Sequence, residues 1–81
     1  MRIERNLAIN NCYIRISDVP AEEARILAPH LAVDLDHHGN VVGWDVYDAS
    51  ENEQLISFLQ HAKPESALVE ALERNQARLA A

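Results

Sequence analysis

Two alternating runs separated by a short turn, within residues 30–50, constrain the fold more than any other part of the chain. The first run alternates apolar and polar residues over 31–36, and the second does so over 41–47. Alternation with a period of two predicts a strand with one buried face. The intervening residues, His37-His38-Gly39-Asn40, are typical of a hairpin turn in which the glycine adopts a positive φ. The sequence therefore predicts a β-hairpin.

The second run divides its residues between the two faces of a sheet and then leads into a helix. The residues predicted to face the core are Val42, Trp44 and Val46. Those predicted on the opposite face are Val41, Gly43, Asp45 and Tyr47. Ser50 and Glu53 follow at the spacing of a capping box, in which each side chain accepts a hydrogen bond from the other residue's backbone amide. This spacing predicts a helix that begins at Ser50.

Two helices are predicted after the hairpin, over 50–62 and 64–80, with Lys63-Pro64 at their junction. The apolar stripe of helix one consists of Leu55, Ile56, Phe58, Leu59 and Ala62. The corresponding face of helix two consists of Leu68, Ala71, Leu72, Asn75 and Leu79, with Val69 at its margin. Because this second face is narrow and rich in alanine, it favours packing on a second subunit, although packing on the chain's own sheet remains the alternative.

Three strands are predicted before the hairpin. Residues 2–7 form a short strand, and residues 12–17 alternate clearly between apolar and polar side chains. Residues 21–28 have helical propensity, but two prolines bound them and leave barely two turns, which is too short for a stable isolated helix. We therefore predict an edge strand there, with Ala24 and Ile26 facing inward, and keep a helix as the alternative.

Together these elements predict one α+β domain over residues 1–81. It consists of a four- to five-stranded antiparallel β-meander over 1–49 that is packed by the two C-terminal helices. Helix one is expected on the face formed by Ile3, Ile14, Ile16, Ile26, Leu31, Val33, Leu35, Trp44 and Val46. Because a chain of this size builds only a small core, its apolar helix faces also favour a homo-oligomer, most simply a dimer.

Charge and hydropathy exclude several classes of function. Thirteen acidic and seven basic residues give a net charge of −6 at pH 7, and no cluster of Lys or Arg offers the phosphate neutralisation that nucleic-acid binding requires. No apolar run has the length of a signal peptide or approaches the ~20 residues that span a membrane, so we expect a cytoplasmic protein. The single cysteine, Cys12, falls on the apolar side of a predicted strand and is expected to be a small buried residue.

The first fifty residues resemble a family of very small bacterial and archaeal proteins of unknown function. The family pattern runs LYIRLSD and then V-x-D-x-D-x-x-G-x-L-V-G-I-E-I-L-D-A-S, and this chain has CYIRISD at 12–18 and VDLDHHGNVVGWDVYDAS at 33–50. It differs at Trp44-Asp45, where the family more often has Ile-Glu, and in its two-helix tail. The resemblance implies a small β-rich fold without catalytic residues. It also implies small ribonuclease-like toxins as candidate partners.

Asp36, His37 and His38, with Asp34 nearby, are the candidates for a metal site, because carboxylates and imidazoles in one turn can bind a divalent ion. The alternative is ordinary turn chemistry, in which Asp36 accepts backbone hydrogen bonds. Adjacent histidines at a strand end also diverge, which suits a chelate poorly. We expect no metal and no cofactor, and keep the His37–His38 turn as the alternative site for a small ligand or metal ion.

Asp18, Asp45 and Asp48 are the residues from which a carboxylate cluster for acid–base catalysis could form. Solvent exposure of Asp45 and a role for Asp48 at the strand-to-helix corner explain the same residues without catalysis. A core of this size also leaves little room for a substrate pocket. We therefore expect no catalytic residues and no enzymatic activity.

Tyr13, Arg15, Asp45 and Tyr47 share the sheet face opposite the predicted core. Aromatic and arginine side chains are frequent at binding hot spots, although cross-strand pairs on a solvated face, with Arg15 against Asp45, would explain them equally well. We predict that this surface, with the two-helix tail as an arm, binds the partner of a non-enzymatic acidic interaction module. The family resemblance adds a small basic toxin, which the chain would neutralise as an antitoxin, as one form of that partner.

Overall fold

The computed structural model describes residues 1–80, with side chains described through Asn75. Its strands are β1 (Arg2–Asn6), β2 (Asn11–Arg15), β3 (Glu23–Ala28), β4 (Leu31–Leu35) and β5 (Val41–Tyr47). A 3₁₀ turn, Ala49–Glu51, leads to the helices α1 (Glu53–His61) and α2 (Ser66–Ala80). The predicted α+β class is confirmed, and residues 21–28 contain an edge strand rather than a helix.

The five strands form one antiparallel sheet in the order β1-β2-β5-β4-β3. The last three strands are neighbours in chain order, but β5 then lies beside β2, so the sheet joins a two-stranded and a three-stranded unit. This order places β5 in the middle of the sheet. The position suits its composition, because almost every residue of β5 is buried.

The core lies on one face of the sheet and is centred on Trp44, which is fully buried between Ile14 of β2 and Val33 of β4 in the strand register. Most of the predicted core residues, and Cys12, are buried as expected. The two helices cover this face with Ile56, Leu59 and Val69. Phe58 was predicted to belong to the stripe of helix one, but it is half exposed, because it lies at the edge of the helix face that meets the sheet.

The inward face predicted for β3 is wrong. Ala24 and Ile26 lie opposite outward-facing residues of β4, and the Ile26 side chain is 74% exposed. The register shifts between Ile26 and Ala28, so that Leu27 turns into the core instead. Such a bulge inserts one residue into a strand and changes which side chains face inward, and alternation alone does not reveal it.

Two further apolar residues differ from the prediction, Val41 in the face that it occupies and Ile3 in its exposure. The register also shifts where β4 ends, so that Leu35 lies opposite Val41 and the Val41 side chain joins the core. Ile3 lies opposite Ile14, on the core side as predicted, but it remains 39% exposed. Its position on an edge strand explains the exposure, because β1 has a neighbouring strand on one side only.

The predicted capping box is wrong, because the β1–β2 hairpin binds both of its side chains. Helix α1 begins at Glu53 with Asn52 as its N-cap residue, and no side-chain capping hydrogen bond forms. The Ser50 hydroxyl instead accepts a hydrogen bond from Asn10. Glu53 accepts two hydrogen bonds from the Arg5 guanidinium, at 2.9 and 2.7 Å, and this contact lowers the pKa of its carboxyl.

Helix α2 packs on the sheet of its own chain, which contradicts the arrangement that its narrow face favoured. Val69, predicted at the margin, is the buried residue of its described part, with Leu68 and Leu72 packed beside it. Asn75 is exposed, and Leu79 lies outside the described side chains. Within the part of the chain that the structure covers, neither helix combines the length and apolar character needed to cross a bilayer.

Asn10 joins the end of the β1–β2 turn to the 3₁₀ turn that follows β5. Its backbone has a positive φ of 53°, its amide donates to Ser50 Oγ at 3.0 Å, and its Oδ1 accepts from the Ser50 backbone amide at 3.1 Å. The Asn10 carbonyl also accepts from the Ala49 amide at 2.9 Å. Asparagine tolerates this left-handed conformation better than most residues. We call this set of contacts the Asn10–Ser50 clasp.

The clasp predicts a graded loss of stability on substitution. Asn10→Gly removes both side-chain hydrogen bonds but keeps the left-handed backbone, and should lower the free energy of unfolding by about 1 kcal/mol in urea denaturation. Asn10→Ala adds strain at positive φ and should lower it by about 1 kcal/mol more. Asn75→Ala, at an exposed asparagine of α2, serves as the control. Equal stability of the two Asn10 variants would contradict the strain at this position.

Candidate interaction surface

Both helices pack on the core face, so strand side chains form the opposite face of the sheet within the described residues. The strand register places the predicted residues Tyr13, Arg15, Asp45 and Tyr47 together on this face. The strand register adds the other residues of this face, which are Arg2, Glu4, Asn6, Asn11, Ala24, Ile26, Ala32, Asp34 and Gly43. We call this surface the open face.

Tyr13 crosses from β2 to β4 over a glycine. Its hydroxyl donates a hydrogen bond to Asp34 Oδ2 at 2.8 Å, and its ring lies where a β-carbon on Gly43 would be. Only glycine therefore permits this contact, which explains why a central strand contains one. Burial, with the Asp34 hydrogen bond as a further cause, raises the pKa of Tyr13 to about 12.

Asp45 contacts Asn11 rather than Arg15, so the cross-strand ion pair predicted as the alternative is not formed. Asn11 Nδ2 donates to Asp45 Oδ1 at 2.8 Å, whereas Arg15 contacts Glu4 at 3.3 Å and lies 5.2 Å from the centre of the Tyr13 ring. The Oδ1 atom of Asn11 is buried and accepts no hydrogen bond from the described residues. This corner of the open face therefore holds more acceptors than donors.

The arginines of the sheet pair with carboxylates other than Asp34 and Asp45. Each arginine contacts one or two acidic residues, the pairs being Arg2–Glu4, Arg2–Asp18, Arg5–Glu53, Arg15–Glu4 and Arg25–Glu23. Among the described side chains, no cationic nitrogen lies within ion-pair distance of Asp34 or Asp45. Each of these carboxylates instead accepts a hydrogen bond from a neutral side chain of β2. Burial, with the nearby Asp45 carboxylate as a further cause, raises the pKa of Tyr47.

Asp34 and Asp45 are diagonal neighbours on β4 and β5, a relation that separates residues by about 7 Å in an antiparallel sheet. Ala32 lies opposite Asp45 and two residues before Asp34, and its side chain is only 4% exposed, which means that neighbouring side chains cover it. Ile26 lies opposite Ala32 in the same cross-strand row, and Tyr47, 40% exposed, lies in the next row, two residues beyond Asp45 on β5. We call Ala32, Asp34 and Asp45, with Tyr47 and Ile26 at the border, the carboxylate seat.

The residues considered for a metal site form a turn instead. Asp36 Oδ1 accepts hydrogen bonds from the backbone amides of His38 and Asn40, each at 2.9 Å, and these bonds lower the pKa of its carboxyl. Gly39 has the expected positive φ of 80°. His37 Nδ1 lies 3.0 Å from Glu22. Within the described residues, no group of three or more His, Cys, Asp or Glu side chains could share a metal ion.

The three aspartates considered for catalysis lie in different settings. Asp18 contacts Arg2, and Asp45 belongs to the carboxylate seat. Asp48 has a positive φ of 53° at the corner after β5, where its carbonyl accepts from the Asn52 side chain, as its expected corner role requires. The fully buried Cys12 has a thiol whose pKa is raised by burial.

The sequence predicted most of the carboxylate seat. Alternation assigned Asp45 and Tyr47 to the open face, and it placed Asp34, which was also considered as a metal ligand, on the solvent side of its strand. Ile26 was assigned to the core. A glycine inside a strand is a signal that another group approaches the backbone closely, and Gly43 would have pointed to the contact between Tyr13 and Asp34.

Comparison with known proteins adds one match. A family model described as "Protein of unknown function (DUF2283)" matches residues 9–50, which run from the end of the β1–β2 turn to the 3₁₀ turn. No curated protein and no solved structure matches the chain.

The contact between Tyr13 and Gly43 predicts a non-additive pair of substitutions. Gly43→Ala should lower the free energy of unfolding by about 1–3 kcal/mol, because the added methyl group displaces the Tyr13 ring. In a Tyr13→Ala background the same change should be neutral or stabilising, since alanine suits a strand interior better than glycine. Urea denaturation of the unmodified protein, the two single variants and the double variant gives the coupling free energy between Tyr13 and Gly43. Tyr47→Ala combined with Gly43→Ala is the control pair, and additive losses in both pairs would contradict the contact.

Tyr13 also predicts a loss of stability at high pH. Its pKa is about 12 in the folded chain and about 10 when unfolded, so its contribution is complete below pH 10 and is lost as the pH rises through 12. In a Tyr47→Phe variant Tyr13 is the remaining tyrosine, and its absorbance titration should have a midpoint near pH 12. Circular dichroism at each pH separates ionisation from unfolding. A midpoint near pH 10 in the folded protein would contradict the burial of this phenol.

Proposed function

The chain belongs to a family of proteins of unknown function (DUF2283), and we propose that it is a non-enzymatic interaction module that binds a basic protein through its open face. The observation that carries the proposal is the carboxylate seat. Two aspartates of neighbouring strands have no cationic partner among the described side chains, although each arginine of the sheet is paired with another acid.

The chemistry around the seat matches what a cationic side chain needs. A Lys or Arg of the partner would meet the charges of Asp34 and Asp45, and the ring of Tyr47 offers a cation–π contact. The exposed Ile26 side chain adds apolar area at the border of the same surface. A net charge of −6 would also attract a basic protein over distances comparable with the Debye length, about 8 Å at physiological salt.

The edge strands are poorly suited to pairing with a strand of another protein, which favours the open face as the binding surface. Strand β1 is short and carries alternating charges, and β3 carries Glu23 and Arg25. Prolines at positions 20 and 29 flank β3, and its bulge disturbs the regular ladder of hydrogen bonds. Charges, prolines and bulges are the features by which proteins prevent unwanted strand pairing.

The resemblance to a family with toxin-like candidate partners suggests a more specific form of this proposal. A small basic toxin would offer the cationic surface that the open face complements, and its binding here would act as neutralisation. The contacts of α2 with its own sheet support the open face rather than the helical tail as the surface involved.

Photo-crosslinking tests the proposal. Tyr47→p-benzoylphenylalanine, made in cells of the source organism, should crosslink to a basic protein that mass spectrometry identifies. Adding salt during the reaction should lower the yield, because screening weakens the attraction between exposed charges. Asp34→Asn together with Asp45→Asn should lower the yield further, while circular dichroism confirms that the variant folds.

Position 63, an exposed lysine between the helices, provides the control for that experiment. The same photoreactive residue there should give little of the crosslink. Equal yields from positions 47 and 63, or a crosslink only to a second copy of the chain, would overturn the proposal. The second result would establish the predicted homo-oligomer in its place.

A further inference from the structure

We propose that two copies of this chain pair edge to edge through β1, with the two strands antiparallel. The proposal concerns an edge of the sheet and does not depend on the proposed function of the open face. It follows from the uncovered outer side of β1, from the order of the charges along this strand and from the position of Ile3.

The outer side of β1 has no neighbour in the described part of the chain. The strand stands first in the sheet order, so β2 lies on its inner side only, and all of its residues, Arg2–Asn6, are exposed. Within the described residues, no backbone group outside the β1–β2 ladder forms a hydrogen bond with the backbone of this strand. Such an edge leaves alternate amides and carbonyls available to a further strand.

The charges along β1 match those of a second copy that runs in the opposite direction. When the two-fold axis passes through Ile3, Arg2 of each copy lies opposite Glu4 of the other. Directly opposed residues of an antiparallel pair have β-carbons about 4.5–5.5 Å apart, and opposite charges at this distance stabilise the pair. An unrelated strand lacks this match, which is why a charged edge discourages pairing with other proteins and still permits pairing with itself.

The neighbouring registers lack this match. An axis at Arg2 or at Glu4 would place two like charges opposite each other, which destabilises a strand pair. An axis between Ile3 and Glu4 would place Arg2 opposite Arg5, and an axis between Arg2 and Ile3 would place a charge opposite an apolar side chain. Either of these two would also join the open face of one copy to the core face of the other, because a shift by one residue exchanges the faces.

Ile3 gives the pair an apolar centre. It lies on the core side of β1 opposite Ile14, and it remains 39% exposed. In the register centred on Ile3, the same residue of the second copy covers it. Helix α1 contacts β2, so the two α1 helices would lie three strand spacings apart, about 14 Å, whereas packed helices need only about 8–10 Å. The helices therefore leave room for the pairing.

The pairing joins two sheets into one and keeps both open faces on the same side. Strand β5 lies two strands inside the edge, so Tyr47 and the carboxylate seat stay uncovered. A pair of five-residue strands buries less than the roughly 1,200 Å² at the lower limit of stable interfaces. We therefore expect a weak dimer that forms as the protein concentration rises.

Charge reversal and mixing test the pairing. In sedimentation equilibrium, the mass of the chain without an N-terminal tag should rise from 9.1 kDa towards twice that value with concentration. Arg2→Glu leaves two acids on the edge and Glu4→Arg leaves two bases, so each change alone should raise the dissociation constant of the dimer about tenfold or more. An equimolar mixture of the two variants should dimerise again, because each edge then meets opposite charges. Glu73→Arg, at an exposed position of α2, is the control.

Cysteine crosslinking tests the register. The Cα atoms of directly opposed residues in an antiparallel pair are about 4.5–5.5 Å apart, a distance that a disulfide can span. Ile3→Cys should therefore form a covalent dimer on oxidation. Asn6→Cys should not, because position 6 lies beyond the end of the paired segment in this register. The native Cys12 is fully buried and should stay unlinked in both variants.

Three results would overturn the proposal. The first is a mass that stays at 9.1 kDa at every concentration, and the second is a dimer that both charge reversals leave intact. The third is a mixture that remains monomeric although circular dichroism shows that both variants fold. Equal crosslinking at positions 3 and 6 would contradict the axis at Ile3. None of these results bears on the binding of a basic protein by the open face.

Discussion

The burial of Trp44 on the central strand determines how the rest of the molecule is arranged. The largest side chain of the core lies in the middle of β5, between Ile14 and Val33, and its burial requires cover from beyond the sheet. Both helices provide that cover, with Ile56, Leu59 and Val69 against the same face. Within the described residues both helices lie on this side, so strand side chains form the opposite face.

The two faces of the sheet are therefore stabilised by different means. Aliphatic packing holds the core face, whereas hydrogen bonds between neighbouring and alternate strands hold the open face, from Tyr13 to Asp34 and from Asn11 to Asp45. These bonds use neutral donors, while the arginines pair with acids at the edges and beside the helices. On the open face, Asp34 and Asp45 therefore have no cationic partner among the described side chains.

Much of this fold could be predicted from local patterns, and the errors have a common cause. Alternation identified the strands, and most inward residues of β2, β4 and β5 followed from it. It failed for Ile26 and Val41 because each lies beside a shift in strand register, which depends on how two strands meet. The capping box failed for a similar reason, since Arg5 binds Glu53 from a distant strand. The side on which Asp34 lies followed from alternation, but its hydrogen bond did not, because the donor Tyr13 lies two strands away.

The Asn10–Ser50 clasp also brings together the two ends of the segment that the family model matches. Four strands, β2 to β5, lie between these ends, and β1 and the helices are attached outside them. A unit whose ends are adjacent tolerates a change in the order of its connections, because joining the ends costs little and the turn at 37–40 offers an exposed place to open the chain. The two ends of the matched segment therefore lie side by side, and β1 and the helices are attached at these ends.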